Sequence, residues 1–314
     1  MSQPNIIVTG GRGFIGSFLV RHLLSQNAGR IVACDVSPDL TNLEDVVDRI
    51  EFAQVDVSSF ESVLRLFDTY RPQTVYHLGA VLAPVCEKTP EIGIQTNAVG
   101  TYHMLEAARL FGTKQFLFGS SIAVITGDGK NSVIDDYSAT HPNNVYAAAK
   151  LFSENLGLCY RRQYKLDFRS LRFPGMVGPG VRARGFFNYV SEAIGAAIDG
   201  KPYSIAVDPS IRIPIMYLGD LVRALTDLAA APIDRIRTVN YLVLGYKPVP
   251  SAGEIVERLK ARIPGAQIDF RDHAVRYDTL PADAFDDRYA REEWGWQPRY
   301  DLDDIIDAFI ASKK

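Results

Sequence analysis

The stretch that most constrains this chain is NIIVTGGRGFIG, residues 5–16. A β-branched, apolar run stops at Gly10, and Gly10, Gly13 and Gly16 then recur every third residue. A helical pattern with Phe14, Ile15, Phe18, Leu19 and Leu23 on one face opens at once. Glycines in this position permit a tight turn and close approach of the backbone to a pyrophosphate, whose charge is met by the helix N-terminus. A glycine-rich turn alone is a weak signal, and Asp35 strengthens it. It closes the next apolar run, 19 residues after Gly16 (35 − 16), where a carboxylate accepts hydrogen bonds from the adenosine ribose and repels an extra 2′-phosphate. The pattern therefore points to NAD rather than NADP, with Arg12 and Arg30 as nearby cations able to soften that preference; an ordinary strand-end carboxylate is the plainer alternative.

The alternation that begins there continues. NIIVTG, RIVACDV, IEFAQVDV, TVYHLGAV, KQFLFGSS and DFRSLRFPGMV look like buried strands, and 14–26, 59–70, 96–112 and 144–163 carry helical periodicity. Such alternation implies a doubly wound parallel sheet of Rossmann type with helices on both faces. Beyond Gly178 the pattern loosens around VGPGVRARG, DGKPYS and GYKPVPSAG. We therefore expect an NAD-binding domain over 1–178 and a smaller α/β substrate lobe mainly over 179–314, with RTVNYLVLG (237–245) returning to the first sheet.

With 314 residues, 47% of them apolar, the chain can bury a sizeable core. A net charge of −3 with scattered Lys and Arg provides no basic field for nucleic acid, and no apolar run approaches a membrane span. A cytoplasmic protein with no nucleic-acid or membrane partner is expected. Cys34, Cys86 and Cys159 read as buried reduced thiols, and the five dispersed histidines suggest no metal. Trp294 and Trp296 look like core of the carboxyl-terminal lobe, and Asp135 and Asp136 like loop residues.

VYAAAK, residues 145–150, places Tyr146 and Lys150 four apart, hence on one face of a helix. A neighbouring ammonium favours the phenolate, as a general base acting on an alcohol requires. A chance pair on a solvated face is the plainer reading of the spacing alone. However, none of the other tyrosines has a lysine four residues later, and a nicotinamide cofactor would give this pair a hydride acceptor to work with. Ser120 and Ser121, ending the preceding strand, offer a hydroxyl to the substrate oxygen. Asn97 suits a tie between helix and strand or a place in a proton relay. Arg182 and Arg184, on a glycine-rich loop, suit a carboxylate or phosphate clamp, or simple solvation.

Taken together, TGGRGFIG, Asp35, the DV at 56–57, HLGA (77–80), NAVGT (97–101), the SS at 120–121, YAAAK (146–150) and AREEWGWQP make the chain resemble the extended short-chain dehydrogenase/reductases, which include nucleotide-sugar epimerases and dehydratases. The resemblance spans nearly the whole chain. It implies Ser121 as the catalytic hydroxyl, because the family's serine or threonine precedes the tyrosine by 25 residues (146 − 121), alongside Tyr146 and Lys150. It places Asp56 and Val57 at the adenine and Leu78, Gly79 and Ala80 along the ribose and pyrophosphate. Phe14, Ile15, Asn97 and Phe173 complete the expected cofactor set. It also implies a homodimer formed through helices near 97–111 and 145–162.

SSIAV, RSLRFPGMV, IPIMYLGDLVRA and WGWQPRYDLDD are most similar to the epimerase-like L-threonine 3-dehydrogenases within that family. Nucleotide-sugar enzymes usually carry a diphosphate-binding arginine seven residues before the aspartate that corresponds to Asp220. Here that residue is Ile213; Arg212 is one place off, and if the segment is a strand, that offset sends its side chain to the opposite face. Ala83 replaces a typical serine and GFFNY (185–189) a polar GTTDY. Ala83, Arg182, Arg184 and Phe186 are the expected substrate neighbours, and the expected reaction is NAD-dependent oxidation of a small secondary alcohol. A nucleotide-sugar epimerase or dehydratase and a non-catalytic NAD-binding regulator are the alternatives.

Overall fold

The structure, a computed structural model, describes residues 4–125, 133–180, 188–275 and 285–312. The strands, in chain order, are β1 (Asn5–Thr9), β2 (Arg30–Asp35), β3 (Glu51–Gln54), β4 (Thr74–His77), β5 (Gln115–Ser121), β6 (Asp167–Phe173), β7 (Gly175–Val177), β8 (Tyr203–Val207), β9 (Ile215–Tyr217), β10 (Asn240–Leu242) and β11 (Ile268–Val275). The helices are α1 (Phe14–Ser25), α2 (Phe60–Tyr70), α3 (Ala83–Lys88), α4 (Pro90–Gly93), α5 (Gly100–Leu110), α6 (Val145–Tyr164), α7 (Tyr189–Ile198), α8 (Leu218–Ala230), α9 (Ala252–Arg262), α10 (Arg288–Trp294) and α11 (Leu302–Ala311).

Seven strands form one parallel sheet in the order β10-β6-β5-β4-β1-β2-β3. Their apolar runs are nearly continuous because both faces are covered. Helices α2, α5 and α6 pack side by side on one face, and α1 packs with α8 on the other. The chain turns from β1 toward β2 on one side and crosses back to β4 on the other. The strand order thus reverses between β1 and β4, and in such sheets a crevice for a ligand opens beyond the strand C-termini at this point. Strand β10 joins the sheet beside β6, with Asn240 opposite Ser170.

A second apolar cluster, including Ile194, Ile205, Ile255, Leu259 and Ile305, is built from α7, α9, α11 and the parallel pair β8 and β11. The run 167–177 is not one strand. Pro174, which has no N–H to donate, breaks it, and β7 leaves the large sheet to pair with β9.

Three further expectations need correction. Trp296 is fully buried but belongs to the main core, its indole N–H donating to the Leu244 carbonyl at 3.1 Å; its chain position misled because α10 folds back onto β10. Cys159 is exposed on the outer face of α6, unlike Cys34 and Cys86. Asp136 is buried, 7% exposed, and accepts the Leu242 N–H at the sheet edge. No helix among the described residues is long and apolar enough to cross a membrane.

Candidate active site

The glycine turn lies at the reversal point. Gly10 has φ +64°, and a Cβ there would come 2.9 Å from the Gly79 backbone, so β1 and the segment after β4 touch where any side chain would part them. A Cβ on Gly16 would sit 2.0 Å from the Gly10 carbonyl oxygen. Gly13 is the N-cap of α1, with no capping side chain and no acidic residue in the first turn. The amides at Phe14 and Ile15 therefore present partial positive charge to the crevice with no side chain competing for it. Half-buried Asp35 ends β2, accepting the Ser37 N–H at 3.3 Å, and burial raises its pKa. Arg12 pairs with Asp39 at 2.7 Å, and Arg30 pairs with Glu51. These groups suit a dinucleotide: a cradle that a Cβ would fill, a bare helix terminus for the pyrophosphate, and a carboxylate for the ribose.

The cradle is tied to the opposite helices by a buried chain of hydrogen bonds. Thr101 Oγ1 donates to the Asn97 carbonyl at 2.7 Å, so it accepts from His77 Nε2 at 3.1 Å. His77 Nδ1 is then the acceptor for the Thr9 hydroxyl at 2.7 Å, leaving Thr9 Oγ1 to accept the Leu78 and Gly79 N–H groups at 3.2 and 3.1 Å. Every donor has an acceptor only if His77 is neutral with its proton on Nε2. Burial, helped by the Lys150 charge, pushes its pKa down to about 3 and keeps it so. Composition revealed nothing of this network, because threonine and histidine carry no pattern of their own.

Asn97, expected among the cofactor residues, is 2% exposed and lies under the loop after β4. Its Oδ1 accepts the Val81 N–H and its Nδ2 donates to the Val81 carbonyl, both at 2.9 Å. It sits in a π-helical turn, 94–99, that runs into α5. Asp56 is exposed, held by Ser58, and Val57 packs on Gly100. Leu78 and Phe173 close on Gly119, where a Cβ would stand 3.0 Å from each side chain, while Ala80 and Ala83 are half-buried along the same rim. Arg182, Arg184 and Phe186 lie outside the described residues.

Two caps fix the start of α6. Asn144 accepts the Ala147 N–H at 2.9 Å, and Glu87 of α3 accepts the Val145 N–H at 2.9 Å. Tyr146 therefore falls in the first turn, where the helix dipole favours a phenolate. Lys150 lies one turn further, 4% exposed, with Nζ 5.7 Å from the Tyr146 ring centre and donating to the Gly119 carbonyl at 2.6 Å. The two serines separate cleanly. Ser121, half-buried at the end of β5, is the side chain that opposes the rise in the Tyr146 pKa, whereas Ser120 is 1% exposed and donates to Glu154 at 2.6 Å.

The electrostatics differ from expectation. Burial pushes the Tyr146 pKa up to about 12, and the group that opposes it is Ser121 rather than Lys150. The lysine is itself pulled down to about 8 by burial. Spacing along the helix brought the pair together, but it carried no information about desolvation, which dominates here.

Sequence reasoning also missed Glu154 and Arg172. A glutamate four residues after Lys150 and an arginine inside the apolar LRF were the available signals.

The family model described as the NAD dependent epimerase/dehydratase family matches residues 6–240. The chain belongs to that family, and it is an NAD-dependent enzyme of the extended short-chain dehydrogenase/reductase type. It is 26% identical over 317 residues to the mitochondrial L-threonine 3-dehydrogenase of Sus scrofa, covering 98% of this chain and 82% of the relative. Among solved structures, the GalE-like L-threonine dehydrogenase of Cupriavidus necator in its holo form superposes with a TM-score of 0.89 at 25% identity, over 99% of this chain and 100% of the other. A UDP-glucose 4-epimerase of Thermotoga maritima, with UDP-glucose, superposes with a TM-score of 0.84 at 24% identity over 98% and 97%, a likeness of fold alone.

Proposed function

We propose that this oxidoreductase oxidises the secondary alcohol of a small substrate, L-threonine or a close hydroxy compound, with net formation of NADH. The observation that carries this reading is the fate of the segment before Asp220. Ile213 is 3% exposed inside the second lobe's core. Arg212 is turned to α9, donating to the Val249 carbonyl at 2.6 Å and to both Glu254 oxygens at 2.8 Å. Neither residue offers a counter-charge to a buried diphosphate, and an unpaired buried charge costs several kcal/mol, on the order of 3–5. The names of the relatives point the same way.

NAD, when bound, accepts the hydride; the amides of Phe14 and Ile15, Asp35, Lys150 and the segment Leu78–Ala80 would hold it. The protein's own part is the proton. As the hydride leaves carbon, Tyr146 Oη takes the hydroxyl proton, and Ser121 hydrogen-bonds the same oxygen while it becomes a carbonyl. Burial raises the phenol pKa, and positive charge beside it, from Lys150 and from the oxidised nicotinamide when bound, would oppose that rise. Ala83, with Arg182, Arg184 and Phe186, completes the substrate side of the reading.

The test follows NADH with L-threonine and related hydroxy acids, and in parallel the products formed from UDP-glucose. NADH should accumulate with a small alcohol, and UDP-glucose should bind no tighter than millimolar. Micromolar UDP-glucose binding with epimer formation and no net NADH would replace this reading with the epimerase.

The same proposal includes a cytoplasmic homodimer. Tyr102 and Leu110 of α5 and Phe152 and Tyr164 of α6 are large hydrophobic side chains left exposed on adjacent helices. Sedimentation should give twice the 34.8 kDa chain mass, and a monomer at micromolar concentration would refute it.

A further inference from the structure

Beneath the proposed catalytic pair lies a cluster of buried charges that proton transfer does not itself use. Glu154 follows Lys150 by one helical turn on the same face of α6 and is 1% exposed. Its Oε1 accepts from Ser120 at 2.6 Å and from Arg172 Nε at 2.9 Å; its Oε2 accepts from Arg172 Nη2 at 2.8 Å. Arg172, 4% exposed, completes itself by donating Nη1 to the Asp136 carbonyl at 2.9 Å.

A buried ion pair of this kind is a poor device for stability, because well-packed apolar residues of similar volume serve as well or better. What apolar residues would not supply is a negative charge between two buried cations, Lys150 and Arg172. Resting on the reading of Tyr146 and Lys150 as the catalytic pair, we infer that Glu154 is a positioning residue. Clamped by Arg172, it keeps the buried Lys150 ammonium charged and, through Ser120, fixes the end of β5 from which Ser121 meets Tyr146.

The groups around Lys150 agree with this. On its own helix stand Tyr146 and Glu154; α3 contributes Cys86, β4 the neutral His77, and β5 the Gly119 carbonyl and the Phe118 ring, with Arg172 of β6 bound to Glu154 beyond. Burial draws the lysine down toward neutrality, and Glu154 is the largest opposing influence, ahead of Cys86. Without that carboxylate, burial would be less opposed and the lysine pKa would fall further. Both what it can offer a cofactor ribose and its charge beside the phenol would weaken with it.

The test reads Lys150 directly, in protein carrying ¹³Cε-labelled lysine and without added NAD. The resonance is assigned by its absence in Lys150→Met. In Glu154→Gln the titration midpoint should fall by about one pH unit or more, the scale of losing one nearby opposite charge. A general loosening would hydrate the lysine and move the midpoint the other way. Should Glu154→Gln not fold, Glu154→Gln/Arg172→Gln removes both members of the ion pair together, so that neither is left without the other, and should also lower the midpoint. An unchanged or raised midpoint in the variant that folds overturns the inference. Failure of the catalytic reading would look different: Tyr146→Phe would keep its turnover, whatever the lysine resonance does.

Discussion

Tyr146→Phe should lose at least ~100-fold in turnover, the scale of a general-base contribution, while NAD affinity stays close to wild type. The ring's shape is kept and only the oxygen is removed. Lys150 stands 5.7 Å from the ring centre, and its own bond to Gly119 does not involve the phenol. Nothing in the cradle around Gly10, Gly13 and Gly16 depends on the phenol. Calorimetric titration with NAD and steady-state turnover on the same preparation separate the two effects. A variant that turns over near the wild-type rate would remove Tyr146 from the mechanism and restore the NAD-binding regulator as a reading. A variant that no longer binds NAD would show that the phenol holds the cofactor rather than the proton.

The second large effect is expected at Gly16→Ala. The added methyl would stand 2.0 Å from the Gly10 carbonyl oxygen and 2.8 Å from the Gly10 carbonyl carbon and Gly11 Cα, all of them backbone. No side chain can rotate away, so α1 must back off the turn. The stability cost should be at least about 1–3 kcal/mol, the usual cost of forced overpacking. Displacing the α1 terminus from the cradle should also weaken NAD binding at least ~10-fold, because the amide donors and the helix dipole act only at short range. Gly195→Ala is the informative control. It lies inside α7 with nothing within 4 Å of the added Cβ, and should be neutral or stabilise by about 0.4–1 kcal/mol through the unfolded chain. Thermal unfolding and calorimetry on both variants check the pair. Unaltered NAD affinity in Gly16→Ala would mean that the turn is not the pyrophosphate site.

The parts of this molecule that were legible in its sequence are those with a local signature. The glycine spacing, the apolar runs of β1 to β6 and the four-residue interval from Tyr146 to Lys150 each express a backbone period, and the parallel sheet follows from their alternation. What escaped is set by tertiary contact. Asp136 looked like a loop residue because its polar neighbours are local, yet it is drawn inward by the unpaired Leu242 amide at the sheet edge. Trp296 is far along the chain from the core it fills. Helices α3 and α4 are short and begin around prolines, so their periodicity was too brief to register, although α3 supplies the Glu87 cap on the catalytic helix. The phenol and ammonium were found together, but their protonation was misjudged, since burial is a property of the folded site and has no period along the chain.

The measurement that bears most directly on the account is the fate of the hydride. The protein is incubated with NAD and with L-threonine, or another small hydroxy acid found active, deuterated at the carbinol carbon. Mass spectrometry then follows the cofactor and the organic product. Net hydride transfer predicts deuterated NADH accumulating in step with an unlabelled ketone. The account would be contradicted if NADH accumulated with none of the small alcohols while UDP-glucose, deuterated at the epimerised carbon, returned its label to an epimer on the enzyme.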